Sequence, residues 1–258
     1  MIIDELAKLI SCYIEDDEIT VLDTCLGLKY TYVLVRGNYG TALGIAFTSS
    51  AGISHEGFLE KPLAINNLPK LVSSPGIYYK VLGAALLNAL SQYLMFNKKF
   101  FRENIVEHID ILDVINLEHV SKALLVGYIH PIAEKLRKWG VEVVSVERDL
   151  CKTRMLDHVY IDTVLPRLVK NIDLAIITGS TIVNDSIDYV LETIREIPLK
   201  VITGPTAQFP KIGTLSTKYH IDYIGSIHIV DVKGAIRTIK MGGGTKWLLK
   251  HGFKYIIK

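Results

Sequence analysis

Three apolar runs in the second half of the chain end in glycine and small hydroxyl residues. They read ALLVGYIHP (residues 123–131), DLAIITGSTIVND (173–185) and KVITGPTAQFP (200–210). Each run is typical of a buried parallel strand whose carboxyl end opens into a tight loop. Ligands of open α/β sheets bind in the crevice outside those carboxyl ends. The runs therefore predict where a site lies, although they do not identify a reaction.

The loop after the second run carries the clearest chemistry. It reads Thr178-Gly179-Ser180-Thr181, and Asn184 and Asp185 follow at a predicted helix start. Hydroxyls and backbone N–H groups at a helix N-terminus can hold an anion. We predict ligand contacts for this loop and for Asn184, although Asn184 and Asp185 are also explained as helix caps.

The neighbouring loops and one helix add further candidates. Gly127 follows the first run, and Gly204 and Thr206 follow the third, so we expect all three to line the same cleft. Asn88 lies in an apolar helical stretch. A buried amide needs hydrogen-bond partners, so Asn88 either bonds a nearby loop or reaches the ligand.

Two further residues could carry protons or a cation. His130 precedes Pro131 at a predicted helix start, and Glu147 ends a predicted strand. His130 is a candidate acid/base with Asp185, and His130, Glu147 and Asp185 are candidate ligands of a divalent metal. The alternatives are a capping or surface histidine, and a Glu147 paired with Arg148 or Lys152.

Several cofactors and catalytic classes lack their motifs. The loop at Gly127 is not GxGxxG, so we expect neither NAD nor FAD. The run Gly242-Gly243-Gly244 lacks GxxxxGK[ST], and a turn between helices explains it better. GxSxG, HExxH and paired-cysteine zinc motifs do not occur. His55-Glu56 could belong to a lid over the cleft, but a solvated loop is the simpler interpretation.

Composition indicates a soluble globular protein, with 49% hydrophobic and 22% charged residues among 258. The start of the chain has no signal-peptide layout, and three separated cysteines predict no disulfide framework, so we expect a cytoplasmic protein. Residues 119–258 hold 20 Lys/Arg against 13 Asp/Glu, which favours an anionic ligand or a surface complementary to the acidic first half. We expect no nucleic-acid or membrane partner, and self-association into a homo-oligomer stays open.

The elements that must position these residues divide the chain into two domains. Residues 1–98 predict a small α+β domain, with a helix at 5–14, an antiparallel meander of strands at 19–26, 30–36 and 41–47, a long loop at 48–76 and a buried helix at 78–96. Residues 99–118 read as a linker. Residues 119–258 alternate short apolar strands with helices, which predicts a doubly wound, mostly parallel sheet, with 254–257 as an edge strand.

The chain resembles the heavy-metal chelation family. The matching pieces are YTYVL at 30–34, LGAALLNAL at 82–90, VGYIHP at 126–131, TGSTIVND at 178–185, GPT at 204–206 and the glycine run at 242–244. The resemblance implies an enolase N-terminal-like first domain, a Rossmann-like second domain and a cleft between them. No thiolate cluster is present, so a bound metal would rely on histidine and carboxylates.

Three hypotheses follow from the sequence. The first is binding of a small anionic ligand, with or without a divalent metal, in an interdomain cleft. The second is a lyase- or transferase-type enzyme that uses His130 as acid/base. The third is a non-catalytic metal carrier or sensor.

Overall fold

A computed structural model describes residues 1–48, 62–149, 153 and 158–258. Residues 49–61 of the predicted long loop at 48–76, which include His55 and Glu56, lie outside the described residues, and so does Lys152. The described remainder of that segment contains a short helix, Leu68–Val72, instead of a continuous loop.

The N-terminal unit is a three-stranded antiparallel sheet with helices packed on it. Its strands are β1 (Thr20–Leu26), β2 (Tyr30–Gly37) and β3 (Gly40–Phe47), in the order β1-β2-β3. Its helices are α1 (Ile2–Tyr13), α2 (Leu68–Val72) and α3 (Ile77–Gln92), and a π-helical turn, Tyr93–Asn97, continues α3. The predicted antiparallel meander is confirmed.

Helix α3 is buried on all sides, as its apolar sequence predicts. Every residue from Lys80 to Gln92 is buried. Backbone contact with β3 explains how the helix fits: a Cβ added at Gly44 would lie 2.0 Å from the backbone nitrogen of Ala89. Any side chain at Gly44 would therefore push α3 away from the sheet.

The C-terminal unit is built on an eight-stranded sheet. Its strands are β4 (Ile105–Glu107), β5 (Lys122–Val126), β6 (Glu142–Glu147), β7 (Val159–Ile161), β8 (Leu174–Thr178), β9 (Leu199–Thr203), β10 (Tyr223–Ile229) and β11 (Gly252–Ile257). The order is β4-β11-β10-β9-β8-β5-β6-β7. The six strands from β10 to β7 are parallel, whereas β11 and β4 pair antiparallel. The predicted two-domain α/β fold with a mostly parallel sheet is confirmed.

Seven α-helices connect these strands within the described residues. They are α4 (His130–Lys138), α5 (Leu165–Leu168), α6 (Ser180–Val183), α7 (Ile187–Thr193), α8 (Thr214–Thr217), α9 (Val232–Lys240) and α10 (Thr245–Leu248). Helix α4 ends at Trp139, and Gly140 then takes the left-handed conformation at φ +80°, which glycine adopts without strain.

The structure differs from the sequence-based elements in three places. The segment predicted as a linker supplies β4, so β11 is flanked on both sides and is not the predicted edge strand. The helix predicted to start at Asn184 and Asp185 begins only at Ile187 as α7, and a separate short helix, α6, precedes it, because Asp185 takes a left-handed φ of +59° between them. The three-residue strand β7 was too short to give an alternation pattern.

Candidate functional site

The sheet reverses its direction of winding between β5 and β8. From β5 the chain proceeds outward to β6 and β7, then returns to the other side of β5 and continues through β8, β9 and β10. This is the strand order of dinucleotide-binding folds, and the reversal creates a crevice at the carboxyl ends of β5 and β8. The predicted loops at Gly127 and at Thr178 follow these two strands.

Gly127 and Thr178 meet at this crevice. Gly127 takes a φ of +86°, and a Cβ added there would lie 2.3 Å from Cγ2 of Thr178. Both the backbone conformation and the close approach therefore require glycine. This glycine lets the two loops sit side by side, so their polar groups converge on one space.

A cavity of about 1380 Å³ opens over the crevice. It is lined by loops that follow five adjacent parallel strands, and by Tyr30 and Phe47 of the N-terminal unit. The predicted site residues in its lining are Gly127, His130, Glu147, Thr178, Ser180, Thr181, Asn184, Gly204 and Thr206. Gly179, Asn88 and Asp185 are outside this lining.

The hydroxyls of the Thr178–Thr181 loop divide into two kinds. Oγ1 of Thr178 and Oγ of Ser180 lie 3.2 Å apart on the cavity wall, and both residues are half-buried. The Thr181 hydroxyl donates to the Thr178 carbonyl at 2.8 Å, and the residue is buried. Thr178 and Ser180 therefore line the cavity with hydroxyls, while the Thr181 hydroxyl supports the loop. Gly179 packs against Ala207, since a Cβ added to it would lie 2.7 Å from the Ala207 nitrogen.

The third loop is joined to the N-terminal unit. Gly204 takes a φ of +114°, and its carbonyl accepts a hydrogen bond from the Ser226 hydroxyl at 2.9 Å. The Thr206 hydroxyl accepts from the backbone N–H of Phe47 at 2.9 Å. Thr206 thus holds the end of β3 beside the cavity, so its role is at least partly to position the cavity wall.

Asn184 and Asp185 shape the end of the second loop. The Asn184 side-chain oxygen accepts hydrogen bonds from the backbone N–H and the hydroxyl of Ser186, at 3.1 and 2.6 Å, so the side chain forms a local turn. The Asp185 carboxylate forms an ion pair with Lys80 of α3, whose side chain is only 4% exposed. This ion pair connects the site loop to the N-terminal unit.

Glu147 stabilises the first loop by accepting hydrogen bonds from backbone N–H groups. Oε2 accepts from Tyr128 at 3.1 Å, and Oε1 accepts from Arg148 at 2.9 Å and Asp149 at 3.2 Å. The sequence left Glu147 open between ligand contact, a bound cation, and a pair with Arg148 or Lys152, and Lys152 lies outside the described residues. The guanidinium of Arg148 instead pairs with Asp162, with Nε 2.8 Å from Oδ2.

The three candidate metal ligands do not converge. The His130 ring is exposed at the start of α4, and its Nδ1 lies 3.1 Å from the Tyr128 hydroxyl. Glu147 binds backbone amides, and Asp185 pairs with Lys80. Among the described residues, no group of three histidine, cysteine or carboxylate side chains could hold a metal ion. The described part of the chain therefore does not fit a metal held by protein ligands alone.

Asn88 has the structural role rather than a place in the cavity wall. Its Nδ2 donates to the carbonyls of Ile45 at 2.7 Å and Thr206 at 2.8 Å, and the residue is 1% exposed. It belongs to a buried group of polar side chains between the two units, which we call the interdomain seam. Its members are Asn88, Gln92, Gln208, His228 and Tyr255.

The cavity wall carries both signs of charge. Lys135, Arg148, Lys246 and Lys254 line it together with Asp110, Glu147, Asp149 and Asp162. Burial alone would raise the pKa of Asp110, but a hydrogen bond and an ion pair from Lys254 lower it overall. Within the described residues, Lys246 has no carboxylate at ion-pair distance.

Sequence reasoning missed the lining residues outside the three loops. Tyr30 and Phe47 come from the N-terminal sheet, and Thr245 and Lys246 come from α10. The Tyr30 hydroxyl lies 2.7 Å from the Thr245 hydroxyl, which joins the two units at the cavity mouth. The glycine run at 242–244 pointed to this region, but only as a turn.

Fold and site together define a two-domain α/β protein with a ligand crevice at the reversal point of a parallel sheet. Residues 110–258 match the model of the DUF364 family and residues 9–91 match that of DUF4213, and both are described as "Putative heavy-metal chelation". The chain belongs to this family, as the sequence resemblance predicted.

Relatives support this assignment over the whole chain. An uncharacterized protein of Methanocaldococcus jannaschii is 30% identical over 249 residues, covering 95% of this chain and 92% of its own length. The crystal structure of a DUF364 protein of unknown function from Pyrococcus horikoshii is similar, with a TM-score of 0.86, 27% identity and coverage of 100% of this chain and 99% of that one. A DUF364 structure from Desulfitobacterium hafniense, 16% identical and fully covered in both chains, has a TM-score of 0.71 and supports the fold alone.

No described helix has the length and apolar character needed to cross a bilayer.

Proposed function

We propose that this chain binds a small anionic molecule in the cavity above β5 and β8. The observation that carries the proposal is the pair of hydroxyls of Thr178 and Ser180, 3.2 Å apart on the cavity wall at the crevice. Crevices at this point of a doubly wound sheet are the usual ligand sites. Two adjacent hydroxyls can both donate to one anionic group, which strengthens each hydrogen bond.

Acidic and basic side chains are equal in number on the wall, but their pairing leaves one lysine of the described residues without a carboxylate at ion-pair distance. Asp110 and Asp162 are neutralised by Lys254 and Arg148, and the oxygens of Glu147 accept backbone N–H groups. Lys246 has no carboxylate partner among the described residues. A ligand with an anionic group would therefore find hydroxyl donors on one side of the cavity and an available ammonium on another.

The family description adds a heavy metal to the candidate ligands. The described residues place His130 in the cavity wall, without two further protein ligands near it. In this proposal a metal would enter only as part of the bound molecule, with the ligand itself supplying most of its donor atoms.

The experiment measures anion affinity by calorimetry, with inorganic phosphate, pyrophosphate and citrate as probes. Ser180→Ala and Thr178→Val should each weaken binding about tenfold or more, because a hydrogen bond to a charged group is worth about 1.5–3 kcal/mol. Valine keeps the methyl group that contacts Gly127. Thr193→Ala, whose exposed hydroxyl bonds the Tyr189 carbonyl, is the matched control. Equal affinities for all four proteins, or no binding of any probe, would refute the proposal.

A lyase- or transferase-type enzyme is the second candidate. The observation that favours it is the His130 ring in the cavity wall, with its Nδ1 3.1 Å from the Tyr128 hydroxyl. A ring oriented by a hydroxyl in this way could transfer a proton to or from a ligand in the cavity. The test is NMR observation of an anion bound by the protein. Chemical change that is lost in His130→Gln and kept in His119→Gln would support catalysis.

A further inference from the structure

Two turns that are far apart in sequence meet beside the cavity mouth. The β1–β2 turn contains Leu28 and Lys29, and the turn after α9 contains Met241 and Gly242. A Cβ added to Gly242 would lie 3.4 Å from Cδ1 of Leu28, so the turns are in contact. The Tyr30–Thr245 hydrogen bond joins the chain segments directly behind them.

The meeting point exposes large apolar side chains. Leu28 is 82% exposed and Met241 is 81% exposed, the highest values for large hydrophobic residues in the described chain. Trp247, close by on α10, is 54% exposed. Single exposed hydrophobic residues are common on protein surfaces, but the two most exposed ones here are neighbours at the tips of turns.

Lysines surround these apolar tips. Residues 232–258 contain seven Lys/Arg and no Asp or Glu. Lys250 Nζ lies 4.2 Å from the centre of the Trp247 ring, and Lys240 lies 3.9 Å from Asp23, a distance at which its charge is only weakly paired. We call the group the basic turn patch, and its members are Leu28, Lys29, Lys240, Met241, Lys246, Trp247 and Lys250.

We propose that the basic turn patch docks this protein on the surface of an anionic lipid bilayer. Apolar side chains on turn tips can enter the headgroup region, and lysines around them are attracted to anionic lipids. Tryptophan is suited to the same interface because its ring is apolar and its N–H is polar. A protein partner is less favoured, because lysine is depleted at protein–protein interfaces and four of the seven patch residues are lysines.

Docking would place the ligand cavity at the membrane. Lys246 belongs to the patch and also lines the cavity. Thr245, next to it in the chain, lines the cavity as well. The proposal replaces the expectation of no membrane partner with a peripheral contact, which requires no spanning helix, and the described helices include none that could span a bilayer. It rests on residues outside the Thr178–Thr181 loop, and Lys246 is the one residue that it shares with the proposed anion site.

The test is co-sedimentation with vesicles of phosphatidylcholine alone and of phosphatidylcholine with one-quarter phosphatidylglycerol. We expect binding to the mixed vesicles in low salt, and at least tenfold weaker binding to the neutral vesicles and in 0.5 M salt. Leu28→Ser/Met241→Ser should weaken binding about tenfold, and Lys29→Glu/Lys240→Glu/Lys250→Glu should abolish it. These variants leave Lys246 in the cavity unchanged.

The matched control is Lys8→Glu/Lys70→Glu/Lys170→Glu, which changes the net charge equally at exposed lysines elsewhere. Equal loss in this control would show general charge attraction and would overturn the proposal. So would unchanged binding of the patch variants. Self-association that the patch variants abolish, without vesicle binding, would assign the patch to a second copy of the chain instead.

Tryptophan fluorescence supplies a second readout that does not depend on mutating the patch. The chain has two tryptophans, so Trp139→Phe leaves Trp247 as the only reporter. Its emission should shift to shorter wavelength with the mixed vesicles and stay unchanged with neutral ones. No shift at saturating lipid would overturn insertion of the patch. Phosphate affinity of the same variant should equal that of the wild type, which separates this proposal from the function of the cavity.

Discussion

The interdomain seam and the cavity wall are both built from polar side chains, yet they are completed differently. In the seam, Gln208 accepts from the Ile45 N–H at 2.7 Å and donates to the Ile227 carbonyl at 2.8 Å, with no exposed surface. On the cavity wall, Thr178 and Ser180 are half-buried. Within the described residues, the hydroxyl of each bonds only the hydroxyl of the other.

This difference separates structure from function. Gln92 in the seam donates to the Tyr255 hydroxyl at 2.8 Å and accepts from His228 Nδ1 at 2.9 Å, so the protein itself satisfies these groups. Buried polar groups that are fully paired specify how two units fit together, and removing one leaves its partners unpaired. The protein should lose little stability when a polar group on the cavity wall is removed, because water can replace that group.

Gln208→Leu should cause the largest loss of stability. The substitution leaves the buried Ile45 N–H and Ile227 carbonyl without their side-chain partner. Each unpaired group costs about 1–3 kcal/mol, so we expect a loss of about 4 kcal/mol in the free energy of unfolding. Urea denaturation measures it. A loss below 1 kcal/mol would mean that the hydrogen bonds of the seam do not stabilise the contact between the two units.

His228 should make stability depend on pH. Burial lowers its pKa from 6.5 to about 4, and the ring stacks on Phe96 with centroids 3.8 Å apart. Below pH 6.5 the unfolded chain binds a proton that the folded protein does not, so stability should fall by about 3 kcal/mol as pH falls from 6.5 to 4.

The measurement for His228 is urea denaturation at several pH values. His228→Gln should be less stable than the wild type at pH 7. Between pH 6.5 and 4 its free energy of unfolding should depend less steeply on pH, by the slope that the uptake of about one proton on unfolding produces. His130→Gln, at the exposed cavity histidine, is the matched control for the loss of an imidazole. If His228→Gln and the wild type have the same slope, burial does not lower the pKa of His228 in the folded protein.

Asn88→Ala should have an intermediate effect. It removes hydrogen bonds to the Ile45 and Thr206 carbonyls in a site that is 1% exposed, so we expect a loss of about 2 kcal/mol. Phosphate affinity should fall much less than stability, because Asn88 is outside the cavity lining. A folded variant with normal stability and no phosphate binding would instead indicate that Asn88 acts in ligand binding.

Ser180→Ala should have the smallest effect on stability. Its hydroxyl is paired only with Thr178 in the structure, at 3.2 Å, and we expect a change of less than about 1 kcal/mol. Thermal denaturation checks this, while calorimetry with phosphate should show the tenfold loss of affinity. A stability loss as large as that of Asn88→Ala would mean that the Ser180 hydroxyl stabilises the fold as the seam residues do, and would contradict the difference between the seam and the cavity wall.

Local patterns in the sequence were enough to predict most of the fold. Runs rich in β-forming residues and turn glycines located β1, β2 and β3, and the apolar runs ending in glycine located β5, β8 and β9. These features work because the formation of a strand and of the turn that ends it depends on residues near one another in the chain. β4 and β7 were missed because three residues do not establish a period.

The candidate site was predictable only in part, for a related reason. The loops at Gly127, Thr178 and Gly204 could be expected to meet, because parallel strands end at one edge of a sheet. The roles of individual residues could not. Asn88, Asp185 and Glu147 find partners 19 to 118 positions away, and no local pattern encodes such pairings.

The sequence by itself determined the two-domain α/β fold, the family and the edge of the sheet where ligands would bind, because periodicity, glycines and motifs are local properties. Only the tertiary structure decided which polar residues pair with the protein and which remain for a ligand. It also brought Leu28 beside Met241. The physical reason is that burial and hydrogen bonding depend on neighbours in space, and the fold joins segments that are distant in the chain.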